Sequence, residues 1–425
     1  MTHGPSMTRA SQPLRDLRVL DMTHAAAGPF ATMFLADLGA EVIKIEKPQG
    51  GDGTRTMGEP MPMLGPKESD YYISLNRSKK SIVVDLATEA GRALVKALTA
   101  KCDIVMENFR PGVMDRLGLG FEDLRKLRPN LIYASISAFG ATGPWAERPA
   151  NDIILQSVSG LMGITGERGG GPVRIGAPIA DFSSGLFLLS GVLAALHARE
   201  RYPQGQRVEV SMLESALNMM CNYIPSVATL GRTIPRLGRG HAQIVPYQAF
   251  MCSDGKYVMV GAFTRAFWQN LCTAVGHGEW TTDARFRSNA ARLTNREVLV
   301  GKLDALFARK TSAEWTAILT AADVPNSPVM ELHDAIHSEQ VEFNHSIQTL
   351  PHRGHDIGLA RSPIRGQQWG DGDEAQAAPE MGRDTVYVLE SLLELDEAAI
   401  RELVDNKIVV VHSPSASASQ PETSA

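Results

Sequence analysis

The 425-residue sequence predicts an α/β protein: a doubly wound parallel sheet in a large domain, followed by a smaller α+β domain. Three observations carry that reading. Short apolar runs alternate with helical runs from residue 17 to residue 212, at lengths that suit β-α-β units. From about Leu213 the texture changes to a Met- and Ala-rich helix, an Arg- and Gly-punctuated connector and a strand pair. No internal repeat is present, which removes solenoid and propeller architectures.

Taken in order, L-R-V-L-D-M at 17–22 reads as a short buried strand, 31–38 as a helix that Gly39 stops, and E-V-I-K-I-E at 41–46 as the next strand. The loop at 23–29 then lies at the carboxyl end of the first strand, where open α/β sheets bind ligands. It lacks G-x-G-x-x-G, which disfavours a nicotinamide-dependent oxidoreductase. Strand 79–86, helix 88–100, strand 103–109, helix 121–127 and strand 131–137 extend the alternation. A turn-rich loop at 140–145, a helix at 151–162 and a glycine-rich loop at 166–171 lead to Asp181 and an apolar helix at 185–199. A strand at 206–212 closes this half. Beyond it stand a helix at 214–230, a connector at 232–240, paired strands around the turn S-D-G at 253–255, and helices at 267–275, 295–308 and 312–321. Residues 322–330 read as extended, 331–380 as loop-rich and 382–408 as helix. The first 13 residues and the low-complexity tail after His412 read as disordered.

Composition bounds the function. The hydrophobic share is 44% and the charged share 21%, ordinary for a soluble globular protein. A net charge of −5 and a pI of about 6.1 give no electrostatic case for nucleic acid or an anionic membrane as partner. Cys102, Cys221, Cys252 and Cys272 form no C-x-x-C pair, so neither a zinc site nor a disulfide framework is indicated, and a reducing cytoplasm is expected. No secretory signal is visible at the N-terminus. The longest apolar run, 186–196, is interrupted by Ser190 and Gly191 and reads as too short to span a bilayer.

The stretch G-P-V-R-I-G-A-P-I-A-D-F-S-S-G at 171–185 places one carboxylate, Asp181, at the mouth of an apolar helix. Such an Asp either caps the helix or acts as a nucleophile, since a carboxylate can form a covalent acyl intermediate. Glycines at 166 and 169–171 suit either a mobile cover or a plain surface loop.

Several blocks occur together and in order: L-R-V-L-D-M-T-H-x-x-A-G-P-F, G-A-E-V-I-K-I-E-K-P, G-D-x-x-R, L-N-R-x-K-K-S-I, V-x-E-N-F-R-P-G-V-M-D-R-L-G-L-G, S-G-L-M-x-I-T-G, and the stretch with Asp181. Over residues 14–410 they resemble the class III CoA-transferases, the family of formyl-CoA transferase and carnitine CoA-transferase. G-H-A-Q-I-V-P-Y-Q-A-F at 240–250 is similar to members that act on dicarboxylic acids, such as succinyl-CoA:glutarate CoA-transferase.

The resemblance implies a Rossmann-like sheet in the large domain, an interlocked homodimer, and Asp181 as catalytic nucleophile. Its carboxylate would attack an acyl-CoA thioester, give an aspartyl anhydride and then an aspartyl-CoA thioester, and pass CoA to an acceptor acid. The route needs coenzyme A or acyl-CoA as substrate, with no permanently bound cofactor and no metal. Water must be excluded and oxyanions stabilised by amide donors. The resemblance further divides the chain into 14–212, a linker at 213–240, a small domain at 241–325, a return linker at 326–362, a C-terminal part of the large domain at 363–412, and a tail at 413–425.

For CoA, the resemblance implies a groove along His24, Ala26, Ala27, Lys47, Val84, Asp85, Leu86, Ala87, Asn108, Phe109, Arg110 and Arg116. Arg116 suits bidentate phosphate binding, or it is a solvated surface arginine. His24 lines the channel or is a structural histidine. Lys79 and Lys80 line the groove or form an exposed pair. Family members often carry glutamine where Ala26 stands and lysine where Ser137 stands, so two contacts are lost or replaced. Asp152 aligns with an acidic position near the nucleophile: it raises its neighbour's pKa, orients the acyl group, or caps a helix. His241, Gln243 and Tyr247 face the acyl or acceptor carboxylate, or serve the core or a hinge. A 2-methylacyl-CoA racemase of the same fold would present a histidine shortly before Asp152. Pro149, Ala150 and Asn151 stand there instead. A non-catalytic CoA-binding protein is the reading from another class, and the presence of Asp181 speaks against it.

Overall fold

The computed structural model describes residues 12–65, 68–366, 369 and 375–412. Residues 1–11 and 413–425, within the two ends read as disordered, lie outside the described residues. The chain divides into two compact units: Met1–Ser159, Gly176–Met219 and His345–Ala425 form one, and Gly160–Ile175 and Met220–Asn344 the other.

The first unit opens with β1 (Arg18–Met22), α1 (Ala27–Asp37) and β2 (Glu41–Glu46). There follow α2 (Asp70–Leu75), β3 (Lys80–Val84), α3 (Glu89–Ala100), β4 (Ile104–Glu107), α4 (Val113–Arg116), α5 (Phe121–Leu127), β5 (Ile132–Ser137) and α6 (Asp152–Val158). After α7 (Leu161–Ile164), which belongs to the second unit, come α8 (Ile179–Arg199), β6 (Gln206–Ser211) and α9 (Met212–Asn218).

The strands form a sheet in the order β3-β2-β1-β4-β5-β6, with Val409–Val410 antiparallel on the edge of β3. The other neighbours pair in parallel. Helices cover both faces, which is why the strands read as near-continuous apolar runs. Val19, Val42, Ile104 and Ile132 pack on one face with Leu35 of α1 and Leu188 of α8. Leu20, Ile43, Ile82 and Val105 pack on the other with Val95 and Leu98 of α3 and Leu389 of the C-terminal helix Thr385–Leu393. Short polar side chains start the helices: Thr88 and Asn151, at helix starts the sequence indicated, accept from the amides of Gly91 and Ile154, and Ser69 caps α2, which the sequence reading did not include, at the Tyr72 amide.

The second unit holds an antiparallel sheet of Tyr247–Met251, Tyr257–Gly261 and Asn326–Pro328. The stretch read only as extended thus supplies a third strand. Helices Arg265–Ala274, Arg296–Phe307 and Ser312–Ala321 accompany a core of Phe250, Trp268, Phe286, Phe307 and Trp315.

Several boundaries differ from the sequence reading. The helix read over 151–162 breaks at Gly160, whose φ of +90° leaves the helical region. The helix read over 214–230 splits into α9 and Ile224–Leu230, where Pro225 restarts a first turn. Residues 331–380, read as loop-rich, contain helices Leu332–Ile336 and Glu339–Phe343 and the hairpin Ile347–His352 with His355–Ala360. Its two-residue turn, Arg353-Gly354, has both φ values positive, as the strand twist requires. Leu350, Ile357 and Leu359 of the hairpin cover Leu64, Tyr72 and Ile73. Helix α8 starts at Ile179, ahead of the apolar run, and is long and apolar enough to cross a bilayer by length and composition. Its Leu188, Leu189, Val192 and Ala195 are buried in the first unit's core.

Candidate active site

The strand order reverses between β1 and β4: the chain runs from β1 outward through β2 and β3, and from β4 outward through β5 and β6. The loops leaving these two strands at their carboxyl ends therefore meet above the sheet, the position where open α/β sheets hold ligands. Asn108, after β4, joins them. Its Oδ1 accepts from the His24 amide at 2.9 Å, and its Nδ2 donates to the His24 carbonyl at 2.7 Å. The His24 ring lies 5.1 Å from that of Phe109. Desolvation, reinforced by Lys44 and Lys47 against Asp52, holds the His24 pKa below its ordinary value, so the imidazole is neutral at pH 7.

The other sequence-predicted CoA contacts lie around the same carboxyl-end edge. Lys47 follows β2, Val84–Ala87 close β3, and Arg110 and Arg116 follow β4. Lys47, Arg110 and Arg116 are exposed and form no ion pair among the described residues, which leaves their charge available to phosphates. The turn after β3 is held by Asp85 Oδ1, which accepts from the Ala87 amide, and by Arg92, which donates to the Leu86 and Ala87 carbonyls. Lys79 and Lys80 do not form an exposed pair. Lys79 is buried and bonds Asp21 at 3.2 Å, while Lys80 pairs with Glu41 and lies over the Tyr387 ring. Both are thereby engaged in holding the sheet together.

Asp181 is not a helix cap. Pro178 occupies the N-cap position of α8 without a side-chain bond, and Asp181 is the third helical residue. The cap is supplied by a different carboxylate: Asp152 Oδ1 accepts from the amides of Ala180 at 2.8 Å and Asp181 at 3.4 Å. Nor does Asp152 cap its own helix, because Asn151 does. Asp152 Oδ2 accepts from Gln156 Nε2 at 2.6 Å. The two carboxylates are thus unequal. Asp152 accepts hydrogen bonds from two backbone amides and from Gln156. Burial, and then the Asp152 charge, push Asp181 up to about 7. A helix start on its own would favour the charged form of Asp181; here desolvation and the like charge outweigh it.

Tyr71, on α2, belongs to this group and sequence reasoning missed it. Burial, then Asp181, Asp152 and Asp70, raise its phenol to about 12, so it is neutral and within electrostatic reach of both carboxylates. No motif marks it, because the six-residue helix α2 leaves no clear period. Small residues bring the pieces together. A Cβ at Gly185 would lie 2.6 Å from the Ala27 carbonyl oxygen, so glycine there lets α8 cross the N-terminal turn of α1. The Phe30 and Phe182 rings stack beside this crossing at 4.4 Å. The amides of Ala26, Ala27 and Gly28, in the buried turn that opens α1, have no hydrogen-bond acceptor among the described residues. An ionisable carboxylate, a neutral phenol and free amide donors on neighbouring helix starts suit nucleophilic acyl chemistry with oxyanion stabilisation.

His241, Gln243 and Tyr247 lie in the second unit and cluster with one another. The His241 ring stacks on Tyr247 at 5.2 Å, its Nδ1 accepts from the Gln243 amide, and Arg296 donates to the His241 and Ala242 carbonyls. The glycine-rich loop is a closed turn: Arg236 donates to the Gly163 and Gly170 carbonyls, and a Cβ at Gly166 would meet the Gly171 oxygen at 2.6 Å.

Comparison with known proteins adds to this geometry. The family model described as CoA-transferase family III matches residues 14–385. A mouse (Mus musculus) succinyl-CoA:glutarate CoA-transferase is 36% identical over 403 residues, covering 94% of this chain and 91% of that protein. An Acetobacter aceti acetyl-CoA:oxalate CoA-transferase is 36% identical over 87% of this chain and 93% of its own. The crystal structure of a CAIB/BAIF family protein from Brucella suis superposes with a TM-score of 0.80 at 33% identity, covering 90% of this chain and 99% of that one.

Proposed function

We propose, for a chain that belongs to CoA-transferase family III, that it moves CoA from succinyl-CoA or a related dicarboxylyl-CoA to a free carboxylic acid, with Asp181 as nucleophile. The observation that carries this reading is Asp181 itself: a carboxylate in the first turn of α8, the helix whose Gly185 crosses the start of α1 at Ala27, with no competing role as a cap. An Asp181 oxygen attacks the thioester carbonyl carbon, and the C–S bond breaks to give a mixed anhydride and CoA thiolate. The thiolate attacks the aspartyl carbonyl, releases the donor acid and leaves an aspartyl-CoA thioester. The acceptor carboxylate attacks that thioester, and the released thiolate then takes the acceptor acyl group and restores Asp181. Each attack generates an oxyanion, which in this reading the amides of Ala26, Ala27 and Gly28 receive. The name of the mouse relative supports a dicarboxylic donor and acceptor, and that of the Acetobacter aceti relative a dicarboxylic acid paired with acetyl-CoA. Incubating succinyl-CoA with a panel of mono- and dicarboxylic acids and reading new acyl-CoA species by mass spectrometry tests the assignment. No new thioester with any acid would refute it.

The raised Asp181 pKa sets the pH dependence. The carboxylate form attacks, so the rate is expected to rise with pH through about 7. Asp152→Asn removes the like charge, lowers the Asp181 pKa and moves this limb to lower pH. An unmoved limb would show that Asp152 does not act on Asp181 electrostatically.

We further assign a homodimer. Ile153, Ile154 and Val158 of α6, Leu186 and Phe187 of α8, and Met219 beside α9 are exposed apolar side chains on helices that pack together. A second copy covering this face is expected to sediment as a dimer that Phe187→Glu dissociates; a monomeric wild-type chain would contradict it. The cytoplasm is the compartment we assign, on the free cysteines at 102, 221, 252 and 272, and cell fractionation tests it.

A further inference from the structure

We propose that Asp52 and Lys44 are positioning residues that hold the β1–α1 turn with its amide donors free for the oxyanion; this rests on the transfer reaction assigned above. Neither residue is on the surface of the site. Lys44 lies within β2 and is fully buried, and Asp52 is 5% exposed. Burying two charges is costly, so their contacts indicate what keeps them there.

Those contacts converge on the turn. Lys44 Nζ lies 2.8 Å from Asp52 Oδ2 and donates to the Thr23 carbonyl at 2.8 Å. Asp52 Oδ1 accepts from the Ala25 amide at 3.3 Å, as well as from the amide and hydroxyl of Thr54. The pair therefore grips the turn on both sides of His24, whose own amide and carbonyl are taken by Asn108. Between these anchors Ala25 sits at φ +62°, a left-handed conformation that alanine disfavours. The anchored turn engages the polar groups of Thr23 to Ala25 and leaves the next three amides, Ala26 to Gly28, without acceptors among the described residues. Asp21 braces the same turn from below, accepting from the Thr23 amide and hydroxyl. Positioning by the buried pair thus links a strained backbone residue to the donors that the reaction uses.

Removing Asp52 does not strand Lys44, because Asp21 and Glu46 also act on its charge. Asp52→Ala is therefore expected to remain folded by circular dichroism. Its kcat for CoA transfer is expected to fall about 10- to 100-fold, with the KM for acyl-CoA within about threefold of wild type. Adding Ala25→Gly removes the left-handed strain and is expected to restore about 10-fold in kcat. A merely structural Asp52 would lower the melting temperature without this kcat-specific loss and without rescue by glycine. Ala25→Val probes the same turn with the ion pair intact and is expected to lower kcat at unchanged KM. Wild-type kcat in folded Asp52→Ala or in Ala25→Val, or no gain from Ala25→Gly, would overturn the positioning role alone. A wild-type enzyme that transfers no CoA would overturn the functional reading and this role with it.

Discussion

Asp181→Ala is expected to lower CoA transfer by about 10³-fold or more while leaving the fold intact, because in the proposed mechanism it removes the carboxylate that holds first the donor acyl group, as an anhydride, and then CoA, as a thioester. Hydroxylamine added to wild-type enzyme with acyl-CoA should convert Asp181 to a hydroxamate, readable in a tryptic peptide; the alanine variant should give none. Full transfer by the variant would end the assignment. The same residue makes an opposite prediction for stability. Its folded pKa, about 7, lies above the ordinary Asp value of 3.8, so the native state holds its proton more tightly than the unfolded chain does. That contribution is fully present below pH 3.8 and is lost as pH rises through 7. Asp181→Asn is therefore expected to melt above wild type at pH 8 and together with it at pH 3. A nucleophile held at a cost to stability is a common feature of active sites.

Arg55→Met is expected to destabilise the protein by about 3–5 kcal/mol, the loss seen when one member of a buried ion pair is removed. Arg55 is 1% exposed. Its Nε and Nη2 each donate to Glu46 at 2.7 Å, Nη1 reaches Glu68 at 3.3 Å, and Nη2 also donates to the Tyr72 hydroxyl and the Pro379 carbonyl. Methionine keeps much of the volume but leaves Glu46 and Glu68 buried without this guanidinium. It also frees the C-terminal segment from the loop that carries Asp52. In the variant, burial raises the carboxylate pKa values, so the deficit is expected to be largest at alkaline pH and to shrink as pH falls into the carboxylate range. Glu46→Gln in the same chain should recover part of the loss. Equal melting temperatures for wild type and Arg55→Met by calorimetry would show that the network contributes nothing net.

Much of this was legible in the sequence. The strand runs at 17–22, 41–46 and 131–137 read as apolar because both faces of a parallel sheet are covered, and the polar helix starts at Thr88 and Asn151 are where capping chemistry requires them. The ordered blocks around them led to the family and to Asp181. Partnership was not legible. Sequence placed Asp21, Lys44 and Glu46 in strands that should be dry, but it did not say that Lys44 meets Asp52 or that Glu46 meets Arg55. It put Lys79 beside a strand without showing that Asp21 would draw it inside. It left Asp181 and Asp152 each as a candidate cap, whereas the fold makes Asp152 the cap of a helix that begins 27 residues later and frees Asp181. Local periodicity and capping residues determined the elements, because those depend on neighbours in the chain. Which charges pair, and which carboxylate stays free, only the tertiary structure decided, because burial and Coulomb interactions depend on residues brought together from distant parts of the sequence.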